Sequence, residues 1–275
     1  MAEIARSFLG GKRIVITRAA LQSEALAKVL AGLGAIPVVL PLVQFGEPED
    51  FTPLDVAIAQ LDRFDWMIFT SGQAVRAVVA RSKKLKTSLT LAGNKLQIAS
   101  VGPASAEAVR QAGLAVDYVA KTHNGVGLAN ELVGQLRGRS VLLPRSDRAN
   151  PDLPLALKTH GAQVTEVVAY RTLQPSEVDR QKLSRISAGE ADAVLFFSPS
   201  AVQNFAELVG TEHFLGLQNG LAITAVGPVT AEALRHLKME RIVVAADTTG
   251  AAVVQALENH FASAVKSYPA GAKRG

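Results

Sequence analysis

The chain has 275 residues, of which 48% are hydrophobic and 19% are charged, and this balance excludes wholesale disorder. It contains no cysteine, which excludes disulfides, thiolate metal sites and cysteine nucleophiles. The formal net charge of +5 favours an anionic partner. The start of the chain is not typical of a signal peptide, and glycines and prolines interrupt the uncharged stretch 29–46. We therefore expect a cytoplasmic protein that does not cross a membrane.

Short β-branched runs alternate with helical segments along nearly the whole chain. Residues 13–17 are typical of a strand, and the apolar residues that follow mark a helix that Gly34 ends. The next run, 36–42, contains two prolines, which favours an edge strand or a connector. Repeated strand–helix order predicts parallel sheets covered by helices on both faces. The remaining predicted strands are 66–69, 97–101, 115–119, 140–143, 163–170, 193–197, 222–226 and 241–245.

Four segments of the first half return in the second half in the same order. The first three pairs are separated by 127 positions and the last by 125. A constant order at a nearly constant offset predicts a tandem duplication of one α/β unit, and hence two lobes with a small-molecule cleft between them. The matched pairs are 11–18 with 138–145, Gly34-Ala35 with Gly161-Ala162, 69–75 with 196–202, and 98–108 with 223–233.

The repeated segments lie where a predicted strand ends and a helix begins, which is the ligand-binding edge of doubly wound sheets. Gly102 and Gly227 each precede a proline, and glycine there permits a tight turn. Two interpretations of the nearby hydroxyls stay open, because such side chains either cap helices or help to bind an anion. The hydroxyl residues concerned are Thr70, Ser71, Ser105, Ser198, Ser200 and Thr230.

The sequence contains no dinucleotide fingerprint, Walker lysine motif, nucleophile elbow or metal-ligand histidine spacing. Arg18, Arg145 and Ser146 lie at strand ends and are candidates for binding carboxylates, although an arginine there is equally consistent with a surface charge. Tyr170 ends a predicted strand, where packing is the alternative role. The basic run 81–86 has no aromatic neighbour, which favours a solvated helix end over a nucleic-acid site.

At these positions the sequence resembles the uroporphyrinogen-III synthase family, from about Gly11 to Phe261. The chain departs from the family pattern at Gly72-Gln73, where Pro/Ala-Asn is common, and this leaves the role of Ser71 open. Ser105 stands where the family often has threonine. The segments that carry the resemblance are Thr17-Arg18, Phe69-Thr70-Ser71, Val101-Gly102, Leu143-Pro144-Arg145, Tyr170-x-Thr172, Phe197-Ser198-Pro199-Ser200 and Val226-Gly227-Pro228-x-Thr230-Ala231.

The resemblance implies a fold of two flavodoxin-like parallel-sheet lobes joined by a two-stranded connector. The first strand and helix would join the C-terminal half of the chain. The implied divisions are lobe one at 1–39 and 173–264, lobe two at 46–166, connecting strands at 40–45 and 167–172, and a disordered tail at 265–275. The family also implies a monomer.

The resemblance further implies an enzyme that closes hydroxymethylbilane, a linear tetrapyrrole with eight carboxylates, into uroporphyrinogen III. Water is lost, the last ring is inverted and no cofactor is used. Tyr170 corresponds to the family's cleft tyrosine, which would assist departure of the hydroxyl, and a transient hand-over from hydroxymethylbilane synthase is expected. The residues that would bind the substrate are Arg18, Thr70, Ser71, Gly102, Ser105, Arg145, Ser146, Ser198, Ser200, Gly227 and Thr230.

Two other classes of protein fit the same sequence features. A non-catalytic module that binds an anionic small molecule would also have two α/β lobes around a cleft. A protein that binds nucleic acid or phosphate ligands would explain the net positive charge, and its binding would collapse at moderate salt.

Overall fold

The computed structural model describes residues 7–90, 96–247 and 249–266, and the chain divides into two compact units. Unit 1 combines the segments Met1–Gln44 and Leu173–Gly275, and unit 2 is the continuous segment Phe45–Thr172. Residues 267–275, most of the predicted disordered tail, lie outside the described residues.

Most predicted strands are present, with ends that differ by a few residues. The strands are β1 (Arg13–Ile16), β2 (Ile36–Val39), β3 (Gln44–Gly46), β4 (Trp66–Phe69), β5 (Gln97–Ser100), β6 (Tyr118–Val119), β7 (Ser140–Ser146), β8 (Gln163–Leu173), β9 (Ala193–Phe196), β10 (Ala222–Val226) and β11 (Ile242–Ala245). The helices are α1 (Ala20–Gly32), α2 (Thr52–Ala59), α3 (Gly72–Lys84), α4 (Pro103–Gln111), α5 (Gly125–Glu131), α6 (Val133–Leu136), α7 (Asp152–Thr159), α8 (Arg180–Ser187), α9 (Pro199–Val209), α10 (Thr211–Leu217), α11 (Pro228–His236) and α12 (Gly250–Lys266), and a 3-10 turn covers Leu61–Arg63.

Unit 1 contains a parallel sheet of five strands in the order β11-β10-β9-β1-β2. The central strands are mostly apolar because helices cover both faces, and Ile14, Val15 and Ile16 are fully buried. The proline-containing strand β2 lies at the edge, as its composition predicts, since Pro37 donates no ladder hydrogen bond.

Unit 2 contains a sheet of six strands in the order β3-β8-β7-β4-β5-β6, in which the neighbours from β8 to β6 run parallel. Its central strand β4 is completely buried. Of the predicted strand 115–119, only the last two residues form β6. The predicted connecting strand 40–45 is shorter than expected and shifted, because β3 begins only at Gln44.

In each unit an aspartate ties the starts of two neighbouring strands together. Asp192 precedes β9, and its carboxylate accepts from the backbone N–H of Arg13 and from Lys12 Nζ, both at 2.8 Å. Asp65 precedes β4, and it accepts from the backbone N–H of Ser140 at 2.8 Å and from Arg139 Nη1 at 2.9 Å. Each carboxylate accepts from the backbone N–H at the first residue of a strand, which donates to no neighbouring strand.

We expect Asp192→Ala and Asp65→Ala each to lower the free energy of unfolding by about 1–3 kcal/mol, because each leaves a strand N–H without its charged acceptor. Trp66, the single tryptophan, is buried in unit 2, so its fluorescence reports on that unit, while circular dichroism reports on both. Urea unfolding followed by both signals measures the effect. Asp62→Ala, at an exposed position in unit 2, is the control. Equal stability of the Asp65→Ala and Asp62→Ala variants would show that the tie is unimportant.

Candidate active site

A β-bulge between β7 and β8 sets the direction of Tyr170. Arg145 pairs with Val168 but Ser146 pairs with Tyr170, so β8 contains one additional residue, Ala169. Because of this residue, Ala169 and Tyr170 are both buried although they are consecutive, with 2% and 9% of their surfaces exposed. The bulge therefore brings the tyrosine beside Ser146 at the carboxyl edge of the sheet.

Ser71 holds the Tyr170 hydroxyl at this edge, and the two oxygens lie 3.1 Å apart. The same Ser71 oxygen caps α3 by accepting from the Ala74 N–H at 3.2 Å. The Tyr170 ring meets Phe45 edge-on, with 5.5 Å between the ring centroids. Burial raises the pKa of the Tyr170 hydroxyl above its ordinary value, against hydrogen bonding that lowers it. The hydroxyl therefore stays protonated at neutral pH and is able to donate a hydrogen bond.

A second group of polar contacts joins the ends of β7 and β8. The hydroxyl oxygens of Ser146 and Thr172 lie 2.7 Å apart. The carboxylate of Asp147 accepts from the Ser146 hydroxyl at 3.0 Å and from the Thr172 N–H at 2.8 Å. These contacts fix the end of β8 just after Tyr170, so the position of its ring does not depend on Ser71 alone.

Arg145 forms its ion pair within unit 2. Its side chain is only 7% exposed, and it donates to Glu166 at 3.1 Å and to the carbonyl oxygen of Asn150. These bonds connect β7 with the loop that leads into α7. Arg145 thus stabilises the backbone around the carboxyl edge of the sheet through these two bonds. Substrate binding by this residue stays a prediction.

The remaining unit 2 candidates follow β4 and β5. Thr70 is half-buried beside Ser71, and Ser105 is buried in the first turn of α4. Gly102 precedes α4 with φ −162°, which is extended backbone that any residue adopts. The conformational freedom that glycine offers for a tight turn is therefore not used at Gly102.

In unit 1 the candidates also lie where strands end. The Arg18 guanidinium lies over the Phe197 ring, 4.6 Å from its centroid. Ser198 caps α9 by accepting from the Ala201 N–H at 3.3 Å, and Ser200 is half-buried in the first turn of that helix. Both Ser71 and Ser198 are thus helix caps, as one of the two interpretations proposes.

The turn before α11 does require glycine. Gly227 has φ 92° and ψ 161°, a combination that is essentially restricted to glycine. Thr230 is buried in the first helical turn, with 3% of its surface exposed. The two Gly-Pro turns are therefore alike in sequence and in their place before a helix, but they differ in backbone conformation.

Sequence reasoning missed Arg76, which lies one turn into α3. Its Nε and Nη2 atoms donate to the side-chain oxygen of Gln73 at 3.2 and 3.0 Å. Arg76 and Tyr170 line one cavity of about 300 Å³ within unit 2. Arg76 could have been selected from the sequence, because it lies one turn into the helix that Ser71 caps, and that helix starts at the ligand-binding edge. Partial burial lowers the pKa of the Arg76 guanidinium, which stays charged in proteins.

The basic run 81–86 is only partly solvated. Arg81 forms a two-pronged ion pair with Asp55 at 2.6 and 2.5 Å, and its guanidinium lies 3.9 Å from the centroid of the Phe51 ring. The expectation of a solvated helix end is therefore wrong for Arg81. Its partners are Asp55 in α2 and Phe51 directly before α2. They lie more than 20 residues away in the sequence, so the residues next to Arg81 in the chain do not reveal these contacts.

The loop beside the Gly102 turn is held by one carboxylate. Glu131 accepts from the Tyr118 hydroxyl at 3.0 Å, from the backbone N–H groups of Lys121 and Thr122 at 2.9 and 3.0 Å, and from the Thr122 hydroxyl at 2.8 Å. These donors, the Lys121 N–H first, lower the pKa of Glu131 from 4.5 to about 2. Because the folded-state pKa is lower than the unfolded value, the stabilisation is complete above pH 4.5 and is lost as the pH falls toward 2.

We expect Glu131→Gln to lower the free energy of unfolding by about 2 kcal/mol at pH 7 and by much less near pH 2. Urea unfolding at both pH values, followed by Trp66 fluorescence, measures this difference. Glu107→Gln, an exposed residue on α4, is the control. A difference between wild type and Glu131→Gln that does not change with pH would contradict the assignment.

Two classes of feature are absent from the described part of the chain. Within residues 7–90, 96–247 and 249–266, no three acidic or histidine side chains are grouped so that they could hold a metal ion. In the same residues, no helix has the length and apolar character needed to cross a membrane.

Comparison with known proteins identifies the family. The profile described as "Uroporphyrinogen-III synthase HemD" matches residues 24–255. The chain belongs to the uroporphyrinogen-III synthase family. It is similar to the uroporphyrinogen-III synthase of Synechococcus elongatus, with 31% identity over 233 residues that cover 82% of this chain and 87% of the relative. The predicted family, the predicted activity and the predicted enzyme class are confirmed.

Solved structures of uroporphyrinogen-III synthases confirm the mixed α/β fold with parallel sheets. A mutant enzyme of the extremely thermophilic bacterium Thermus thermophilus superimposes with a TM-score of 0.62 at 22% identity, covering 94% of this chain and all of that one. The Helicobacter pylori enzyme gives a TM-score of 0.55 at 18% identity, covering 92% and 99%. Of the candidate site residues, Arg18 alone lies outside the segment that the family profile matches.

Proposed function

We propose that this uroporphyrinogen-III synthase closes hydroxymethylbilane at the carboxyl edges of its sheets, with Tyr170 as the group that hydrogen-bonds the departing hydroxyl. The observation that carries the proposal is the buried, protonated Tyr170 hydroxyl, which is 3.1 Å from Ser71 where β4 and β8 end. A donor is needed here because the hydroxyl leaves the substrate as water and must gain a proton.

A neutral donor is sufficient for this reaction. The electron-rich pyrrole supplies the electrons that expel the hydroxyl, so a strong acid is not required. The greater task is to hold a flexible chain of four rings in one reactive shape, and proximity and orientation contribute on the order of 7–11 kcal/mol in favourable cases. Tyr170, fixed by Ser71 and by the contacts around Ser146, is suited to mark the place of the leaving group.

Backbone N–H groups at helix starts are proposed to bind the substrate carboxylates. Ser71, Gly102, Ser198 and Gly227 precede α3, α4, α9 and α11, and each of these starts presents N–H groups with a partial positive charge. Ser105 and Thr230 are buried, so we assign them the role of fixing the first helical turns rather than direct contact. We propose that Thr70, Ser200 and Arg18 contact the substrate carboxylates directly.

We propose that the two units arose by duplication. If the strands are counted β1, β2, β9, β10, β11 in unit 1 and β7, β8, β4, β5, β6 in unit 2, with the edge strand β3 left out, both sheets have the order 2-1-3-4-5, which is that of flavodoxin. Asp192 and Asp65, 127 positions apart, make equivalent contacts with equivalent strands. The connecting segments, 40–45 and 167–172, would join the units.

The remaining features of the proposal concern the setting of the enzyme. The absence of cysteine fits a cytoplasmic protein. We propose a monomer that works without metal or organic cofactor and receives its unstable substrate from hydroxymethylbilane synthase, with neither nucleic acid nor a membrane as a partner.

A coupled assay tests the function. Hydroxymethylbilane is generated in place with and without this protein, and the oxidised porphyrin isomers are separated. The uncatalysed reaction gives the type I isomer, so we expect the protein to divert the product to type III. Type I alone from a folded sample would overturn the proposal and would favour a non-catalytic binder of another anion.

A further inference from the structure

The cavity beside Tyr170, called the α3 cavity below, combines apolar walls with cationic groups. It has a volume of about 300 Å³, near the lower limit of small-molecule sites, so it is too small for four linked rings and suited to one. Its lining includes Phe45, Phe51, Ala169 and Tyr170.

The cations around the α3 cavity are not equally available to a ligand. Arg81 is held by Asp55 in a two-pronged ion pair, and Lys84 pairs with Glu47 at 3.1 Å. Arg76 forms no ion pair with any described residue and donates instead to the neutral amide of Gln73. The positive charge of Arg76 is thus the one in the lining that no carboxylate of the described chain compensates.

Gln73, which departs from the family pattern, holds Arg76 in place. Gln73 orients the guanidinium through two of its nitrogens without neutralising it. A Cβ atom at Gly72 would lie 3.4 Å from Arg76 Nη1, which is ordinary contact distance, and 3.2 Å from Ala108 Cβ, so the close approach at Gly72 is to α4 and not to Arg76. A guanidinium that is pre-oriented by an amide loses less freedom when it pairs with a carboxylate.

We propose that the α3 cavity binds one carboxylated pyrrole ring of the substrate, with Arg76 pairing with a carboxylate of that ring. The aromatic edges of Phe45 and Tyr170 would contact the ring. This inference rests on the proposed function, which places Tyr170 at the leaving hydroxyl, and it makes Arg76 a substrate-binding residue that positions a ring beside that hydroxyl.

The experiment compares Arg76→Gln with Arg63→Gln. Arg63 also donates to a glutamine three residues earlier, Gln60, and both arginines are exposed, but Arg63 lies outside the cavity, so it is a matched control. We expect Arg76→Gln to raise KM for hydroxymethylbilane about tenfold or more and to change kcat by less than about threefold. Arg76→Lys should fall between wild type and Arg76→Gln, and Arg63→Gln should match wild type.

A second variant tests the charge without removing the arginine. Gln73→Glu places a carboxylate against Arg76, and we expect it to raise KM as Arg76→Gln does. Trp66 fluorescence and circular dichroism verify that each variant is folded. A KM for Arg76→Gln equal to that of Arg63→Gln in folded proteins would overturn the inference.

Direct binding separates this inference from the proposed function. Porphobilinogen, a single pyrrole with two carboxylates, is titrated into wild type, Arg76→Gln and Arg63→Gln by calorimetry. We expect binding that Arg76→Gln weakens about tenfold and Arg63→Gln does not. If wild type forms only the type I isomer, the proposed function fails, whereas equal affinities of the three proteins for porphobilinogen, or no binding to any, would contradict the α3 cavity as a ring site.

Discussion

Replacing Tyr170 with phenylalanine lowers kcat for type III formation by about a hundredfold in our expectation, because it removes a positioned proton donor. The change deletes one oxygen and keeps the ring that packs edge-on against Phe45. The free energy of unfolding should therefore change by about 1 kcal/mol or less, since Ser71 keeps its bond to the Ala74 N–H. The coupled assay measures the rate, and urea unfolding measures the stability.

The control for this prediction is Tyr118→Phe, which removes a hydroxyl that bonds Glu131 and lies away from the α3 cavity. It should leave kcat unchanged. Because burial raises the pKa of Tyr170, ionisation of its hydroxyl should not reduce the wild-type rate below about pH 10. Full turnover by folded Tyr170→Phe would exclude this role and would leave catalysis to positioning alone.

Buried strands were the most predictable part of the fold. The segments Trp66–Phe69 and Ala222–Val226 agree with the predicted strands at both ends. A strand covered on both faces is a nearly continuous apolar run, interrupted in Ala222–Val226 only by Thr224, and this pattern is visible without knowing its neighbours. The length of the edge strand β6 was overestimated, because a short edge strand pairs with only one neighbour and this pairing, rather than composition, sets its length.

The geometry of the site was less predictable than its location. Strand ends and helix starts indicate the carboxyl edge, and Tyr170 and Ser71 were both selected there. Their contact depends on the bulge at Ala169, which exists only when β7 and β8 are paired. Arg145, selected as a ligand-binding residue, pairs inside the unit because Glu166 lies on the adjacent strand. Arg76 was missed because its relation to Tyr170 crosses from a helix to a distant strand.

The two Gly-Pro turns provide the second large expected effect. Gly227→Ala should lower the free energy of unfolding by about 1–3 kcal/mol, because φ 92° with ψ 161° is strained for a residue with a side chain. Asparagine should not rescue this position, since it tolerates the left-handed helical region and ψ 161° lies far outside it. Circular dichroism during guanidinium unfolding measures the loss, and Trp66 reports separately on unit 2.

Gly102→Ala is the matched control, because it changes the residue at the corresponding place before α4. The backbone there is extended, and the added Cβ would meet only His123 Cβ at 3.9 Å, which is ordinary contact distance. Its stability should change by no more than about 0.5 kcal/mol. Equal losses in the two variants would mean that backbone strain does not distinguish the turns. Unchanged stability of Gly102→Ala together with a raised KM would instead indicate that the substrate approaches this turn closely, because a methyl group there would then meet the ligand and not the protein.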